Sequence, residues 1–199
     1  MSDTNETTKL DPARTALLVM DYQPGIIGRL GDGDTLVARA RKAIAAARAA
    51  GATVGYVRVG FTDEDFDAMP DGAPMAARVK QMPREQMHAD SPATQVDARV
   101  APADGDIVVR KTRVGPFLTT DLDEQLRARG IDTLLLAGIS TSGVVLSTVR
   151  DAQDRDYLLY VLADATADPL PDIHAALIEK ILPRQAEVIE VADLAELLA

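Results

Sequence analysis

Short apolar runs alternating with helix-like segments predict an α/β fold built on a parallel sheet. The run Asp132–Ile139 (DTLLLAGI) is apolar on both faces, as a central parallel strand should be. At 199 residues the chain fits one domain with a sizeable core. The expected architecture is a three-layer α/β/α, Rossmann-like sandwich with six parallel strands ordered 3-2-1-4-5-6 and right-handed crossovers. Residues 1–13 read as a flexible tail and residues 14–199 as the single domain.

Each element has local support. Thr15–Asp21 (TALLVMD) is a first strand ending in an acid, and Pro24-Gly25 turns the chain after it. Asp34–Ala50 carries apolar residues at helical spacing and stops at Gly51. Thr53–Val59 (TVGYVRV) is the second strand. Residues 61–104 hold five of the eleven prolines and no long periodic segment, so they read as an excursion with a short helical piece near 73–82. Excursions of this length are usually functional or oligomer contacts. Asp106–Arg110 (DIVVR) is the third strand, followed at once by Lys111. A helix over 120–129, closed by Gly130, leads to the fourth strand, Asp132–Ile139. A helix over 141–155, a fifth strand at 157–163, a helix over 171–182, a sixth strand at 186–191 and a last helix over 192–198 complete the chain.

Composition excludes several functions. Asp and Glu outnumber Lys and Arg by 31 to 21, a net charge of −10, which disfavours nucleic acid and anionic membranes. No apolar run reaches the length of a membrane span. The polar start, MSDTNETTKLDPAR, has no secretory apolar core, so a cytoplasmic location is expected. There is no cysteine, which removes disulfides, thiolate metal sites and thiol nucleophiles. With only His88 and His174, a histidine metal site is not expected, and no cofactor signal is present. Carboxylate, lysine, hydroxyl and backbone chemistry remain.

Ligands of open parallel sheets bind beyond the carboxyl ends of the strands. That rule selects Asp21 after strand one, Lys111 after strand three and the turn Gly138–Gly143 (GISTSG) after strand four. The turn opens a helix, so its amide groups point outward as donors for a developing oxyanion. Asp21 beside Lys111 would feel opposed influences: the ammonium favours the carboxylate, and burial favours the neutral acid. Such a pair can handle protons.

Four stretches resemble the isochorismatase-like hydrolase (cysteine hydrolase) superfamily: ALLVMDYQ at 16–23, VVRKTRVGPFLTTDL at 108–122, LLLAGISTSGVVLSTVRDAQDRDY at 134–157 and DATADPLPDIHAALIEKILPRQAEVI at 164–189. The third is the most specific, because several positions must agree in order. The resemblance places the family's acid on Asp21 and its lysine on Lys111. It implies a cis peptide at Ile139–Ser140, oxyanion donors at the N–H groups of Ser140 and Val144, and a homodimer or homotetramer. The family's nucleophilic cysteine falls on Val144, which cannot attack a carbonyl. The Asp and His metal cluster of family nicotinamidases finds acids but no histidine at VRVGFTDEDFDAM (57–69), so no such metal site is expected. True isochorismatases also lack the cysteine. They cleave a vinyl ether by protonating the enol carbon, after which water captures the oxocarbenium ion.

Three functions stay open. The first is a thiol-independent hydrolase of a small molecule, for instance a vinyl ether, with Asp21 as general acid, Lys111 as its partner, and Gln23, Arg113 and Phe117 touching substrate. The second is a serine-dependent amidase or esterase using Ser140 or Ser142 with Asp164 and His174. The third is a non-catalytic descendant that binds a small molecule or serves as a scaffold. Met69, Met75, Met82 and Met87 are either packing residues or part of an oligomer surface.

Overall fold

The computed structural model describes residues 9–199. Six parallel strands form one sheet: β1 Thr15–Met20, β2 Thr53–Val59, β3 Ile107–Lys111, β4 Thr133–Ile139, β5 Leu158–Ala167 and β6 Glu187–Ile189. Their order is β3-β2-β1-β4-β5-β6, and the fold is the expected three-layer α/β/α sandwich.

The two-residue period of the strands builds both cores at once. In β1, Leu17 and Val19 face one helical layer, while Ala16, Leu18 and Met20 face the other. β4 repeats this with Leu135 and Ala137 against Leu134 and Leu136. The first layer is helix α2 (Gly33–Ala50), with α9 (Leu194–Leu197) beside it. α2 buries Leu36, Val37, Ala40, Ala43, Ile44 and Ala47, one stripe at three-to-four-residue spacing. Asp32 caps its start, and Gly51, at φ 83°, ends it. The second layer holds α6 (Leu122–Ala128) and α7 (Leu146–Gln153), then α8 (Pro171–Ala176) with its continuation to residue 184.

Several boundaries depart from the sequence expectation. The turn after β1 contains a short helix, α1 (Pro24–Ile27). The helix expected over 141–155 begins as a π turn, Thr141–Val145, before α7. The helix expected over 171–182 passes through a π turn at Leu177–Ile181 into a 3-10 turn at Leu182–Arg184, where Pro183 ends regular bonding. β5 runs four residues beyond the expected Ala163, with a register shift against β4 between Leu136 and Gly138. Of the tail expected at 1–13, residues 1–8 lie outside the described residues. Residues 10–13 are not a loose tail: Leu10 is buried, its N–H donates to Leu197 O at 2.7 Å, and Asp11 caps a 3-10 turn over Pro12–Arg14.

The 61–104 excursion contains α3 (Asp63–Asp67), α4 (Pro74–Lys80) and α5 (Arg84–Met87) around a small core of its own. The Phe61 and Phe66 rings meet at a tilt of 43° with centroids 5.4 Å apart, and Met69, Ala76 and Val79 are buried beside them. Met75, Met82 and Met87 pack on the same cluster, so the four methionines are packing residues rather than a free contact surface. Phe61 exchanges backbone hydrogen bonds with Met87 and Ala89, which ties the excursion to the end of β2.

Gly138 marks the tightest backbone approach at the site end of the sheet. A Cβ there would lie 2.8 Å from Val145 Cγ2 and 3.3 Å from Met20 Cβ. Val145 is β-branched and stiff at the start of a helix. Gly138→Ala should therefore destabilise the protein by about 1–3 kcal/mol through overpacking, read as a lower urea midpoint with an unchanged m-value.

Candidate active site

The site starts where β1 runs out. Asp21 takes a φ of 60°, a left-handed backbone that Asp tolerates better than most residues. Its N–H donates to Val57 O at 2.8 Å, so the sheet fixes the backbone while the side chain leaves the strand direction. Lys111 is the last residue of β3, two strands away and therefore about 10 Å distant across the sheet. Only a long side chain bridges that gap. Lys111 Nζ reaches across the end of β2 to 2.9 Å from Asp21 Oδ2, and it also donates to Arg113 O at 3.3 Å.

Both side chains are almost fully removed from water, at 4% and 7% exposed. Burial pushes the Asp21 carboxyl above its ordinary range; the Lys111 charge and hydrogen bond pull it back only in part. Asp21 Oδ1 is buried and has no hydrogen-bond partner among the described residues. One oxygen of the carboxyl is thus held by an ammonium and the other is free.

The β4–α7 turn forms the next wall. The Ile139–Ser140 peptide is cis. Ser140 O accepts from both Gly143 N–H and Val145 N–H at 3.2 Å, the second bond being the five-residue spacing of a π turn. A Cβ on Gly143 would sit 2.7 Å from Ser140 Oγ, so a larger residue there would have to turn the Ser140 side chain aside. Val144 is buried, and its carbonyl accepts from Thr148 Oγ1 at 2.6 Å.

Asp21, Lys111, Ser140 and Val144 share one cavity of about 350 Å³. Ile139, Gln23 and Arg113 line it too. The space is open, not plugged by side chains. Its far wall is Phe61, Met75, Met82 and Met87 from the excursion, with Arg78 on α4 and Arg29 after α1. The sequence marked the excursion as functional by its length alone. No local pattern assigned these residues to the site, because their partners lie far away in the chain.

Of the expected substrate contacts, Phe117 lies off the cavity, and Gln23 is on it with its amide already engaged. Phe117 does not line the cavity; it is buried in the second core, 6.1 Å from the Tyr157 ring and with the Arg155 guanidinium 5.0 Å from its own. Gln23 lines the cavity, but its amide is a clamp. Nε2 donates to Val59 O at 2.8 Å and Thr94 O at 2.7 Å, and Oε1 accepts from Val59 N–H at 2.8 Å.

The serine route is not assembled either. Ser142 Oγ donates to Asp168 at 2.6 Å, and His174 Nδ1 pairs with buried Thr141 Oγ1 at 2.8 Å. Asp164 faces elsewhere, paired with Arg39 at 3.1 Å and accepting from Val191 N–H at 2.8 Å. Burial lowers the pKa of His174, with Asp168 opposing. In the acidic segment, Asp65 pairs with Arg110 at 2.6 Å and Asp63 with Arg84 at 2.8 Å.

With this geometry in hand, comparison with known proteins settles the lineage. The isochorismatase domain matches residues 15–193. The chain belongs to the isochorismatase family. An uncharacterized isochorismatase family protein of Escherichia coli O157:H7, YecD, is 37% identical over 191 residues, covering 94% of this chain and 97% of that one. The ureidoacrylate amidohydrolase RutB of Methylobacterium radiotolerans is 38% identical, covering 88% of this chain and 76% of its own. The solved isochorismatase family protein of Burkholderia thailandensis superposes with a TM-score of 0.79 at 31% identity, over 97% of this chain and 99% of the other. This isochorismatase-family hydrolase has no cysteine anywhere in its sequence. No helix among the described residues is long and apolar enough to cross a membrane.

The Gln23 clamp can be tested directly. Gln23→Leu keeps the bulk but leaves the Val59 N–H and two carbonyls without their partner. Stability to urea should fall by about 2–4 kcal/mol.

Proposed function

We propose that this family member hydrolyses a small molecule with water as the attacking group, Asp21 as the proton donor, and no covalent enzyme intermediate. One observation carries the reading. A buried carboxyl with one unpartnered oxygen faces a cavity in which valine stands at the position that the resemblance gives to the nucleophile. Valine offers no lone pair, so the attacking atom must come with the substrate or from water.

A vinyl ether of the isochorismate type suits these parts. Protonated Asp21 gives its Oδ1 proton to the terminal enol carbon. The ether oxygen stabilises the resulting cation. Water adds to the cationic carbon that bears the ether oxygen and returns a proton to the Asp21 carboxylate. The hemiketal then collapses to an alcohol and a 2-oxo acid. Lys111 holds Oδ2 in place, which leaves the unpartnered Oδ1 to carry the proton. The amides of Ser140 and Val144 lie on the same wall and suit an anionic substrate oxygen.

The relative named as a ureidoacrylate amidohydrolase supports a second reading, hydrolysis of an amide. Water would again replace the thiol, with ionised Asp21 now taking its proton. The exposed apolar side chains of Leu118 and Leu170 support a homodimer or homotetramer within either reading.

Asp21→Asn should lower kcat/KM by about 10²–10⁴-fold on whichever of isochorismate or ureidoacrylate the wild-type protein hydrolyses. Unchanged turnover would remove Asp21 from the reaction, and no turnover by the wild type would favour a binding role.

The pH profile separates the two chemistries. A general acid works protonated, so kcat/KM should be flat at low pH and fall as pH rises through the Asp21 pKa. Lys111 lowers that pKa by its charge and its hydrogen bond. Lys111→Met should therefore move the descending limb to higher pH. A limb that rises with pH would instead indicate a general base.

A further inference from the structure

The cavity carries more positive charge than proton transfer at Asp21 uses. Lys111 is matched by Asp21. Arg29, Arg78 and Arg113 line the same space, and none of them has a carboxylate within salt-bridge distance among the described residues. Arginines elsewhere in this acidic chain are commonly neutralised, as Arg48 is by Asp106 and Arg99 by Asp97 and Asp34. Among the described residues, Asp21 is the one acid on the cavity wall.

The three guanidinium groups come from three separate parts of the chain: the segment after α1, helix α4 of the excursion, and the loop after β3. Their present partners are weak or local. Arg29 Nη2 lies 3.5 Å from Met82 Sδ, a poor acceptor, and Arg113 Nη1 donates to the neighbouring Thr112 O at 2.8 Å. Between them the wall is apolar, with Phe61, Met75 and Met87.

We infer that Arg29, Arg78 and Arg113 are the specificity-determining residues of this site, and that they select a guest with two anionic groups on an apolar body. A single carboxylate accepts one or two guanidinium forks. Three uncompensated forks around about 350 Å³ call for a second anionic group. Unpaired cations gathered around one concavity of a chain with a net charge of −10 focus the field there, which draws a dianion to the cavity. The inference names the substrate class of the proposed hydrolase and rests on that reading for the word substrate. The charge selection itself rests on binding alone.

Calorimetric titration of the full chain tests it, using isophthalate, benzoate and benzamide as dianionic, monoanionic and neutral probes of one shape class. Isophthalate should bind at least about tenfold tighter than benzoate, with benzamide weakest, and higher salt should compress the ranking. Arg29→Ala and Arg78→Ala alter exposed side chains and leave the cores intact. Each should weaken isophthalate by about three- to tenfold and leave benzamide unchanged. Asp21→Asn, silent in turnover under the hydrolase reading, should keep the ranking, so a protein that hydrolyses nothing still returns an answer. Isophthalate binding no tighter than benzamide, no saturable isophthalate binding, or an Arg29→Ala/Arg78→Ala double variant with wild-type isophthalate affinity would overturn the inference.

Discussion

The site depends on a carboxyl and an ammonium held together out of water. Neither group would be stable alone at this depth, since an isolated buried charge costs several kcal/mol. Each is tolerable because the other is 2.9 Å away. The sheet sets that distance. Asp21 is pinned through Val57 on β2, and Lys111 pairs with Val59 on the same strand, so β2 serves as the ruler between them. At Asp21 burial raises the pKa and the Lys111 charge and hydrogen bond lower it, with burial the stronger. Oδ2 points to Lys111, and Oδ1 has no partner among the described residues.

The β4–α7 turn shows how a family scaffold persists while its attacking group changes. The cis peptide, Gly143 against the Ser140 hydroxyl and the π turn are all present around Val144. These features shape the backbone and do not depend on which side chain follows Gly143. A hydrocarbon at that position offers no attacking atom. Chemistry that needs only a proton and a water is compatible with such a side chain, whereas acyl transfer to it is not.

The excursion completes the cavity from the other side. Its own small core of Phe61, Phe66 and Met69 holds it in shape, and backbone bonds from Phe61 to Met87 and Ala89 fasten it to β2. A segment without long helices or strands thereby presents a fixed apolar face and a guanidinium to the guest. The sheet edge supplies the reacting groups, and the excursion supplies the shape and charge that a guest must match.

The amino-acid sequence by itself determined the sheet, its six strands and the residues at its carboxyl edge. Those features are written in short-range periods: apolar alternation, helical spacing, glycine stops, and an acid or lysine placed just past a strand. Asp21 and Lys111 were legible as strand-end residues for that reason, whereas only the family resemblance of the turn at 138–144 singled out Val144. Only the tertiary structure decided that Phe117 belongs to the core, that Gln23 clamps Val59 and Thr94, and that Arg29 and Arg78 reach the cavity. Gln23 meets partners 36 and 71 positions away. Contacts across such separations leave no local period, because they are fixed by how the layers pack and not by neighbours along the chain.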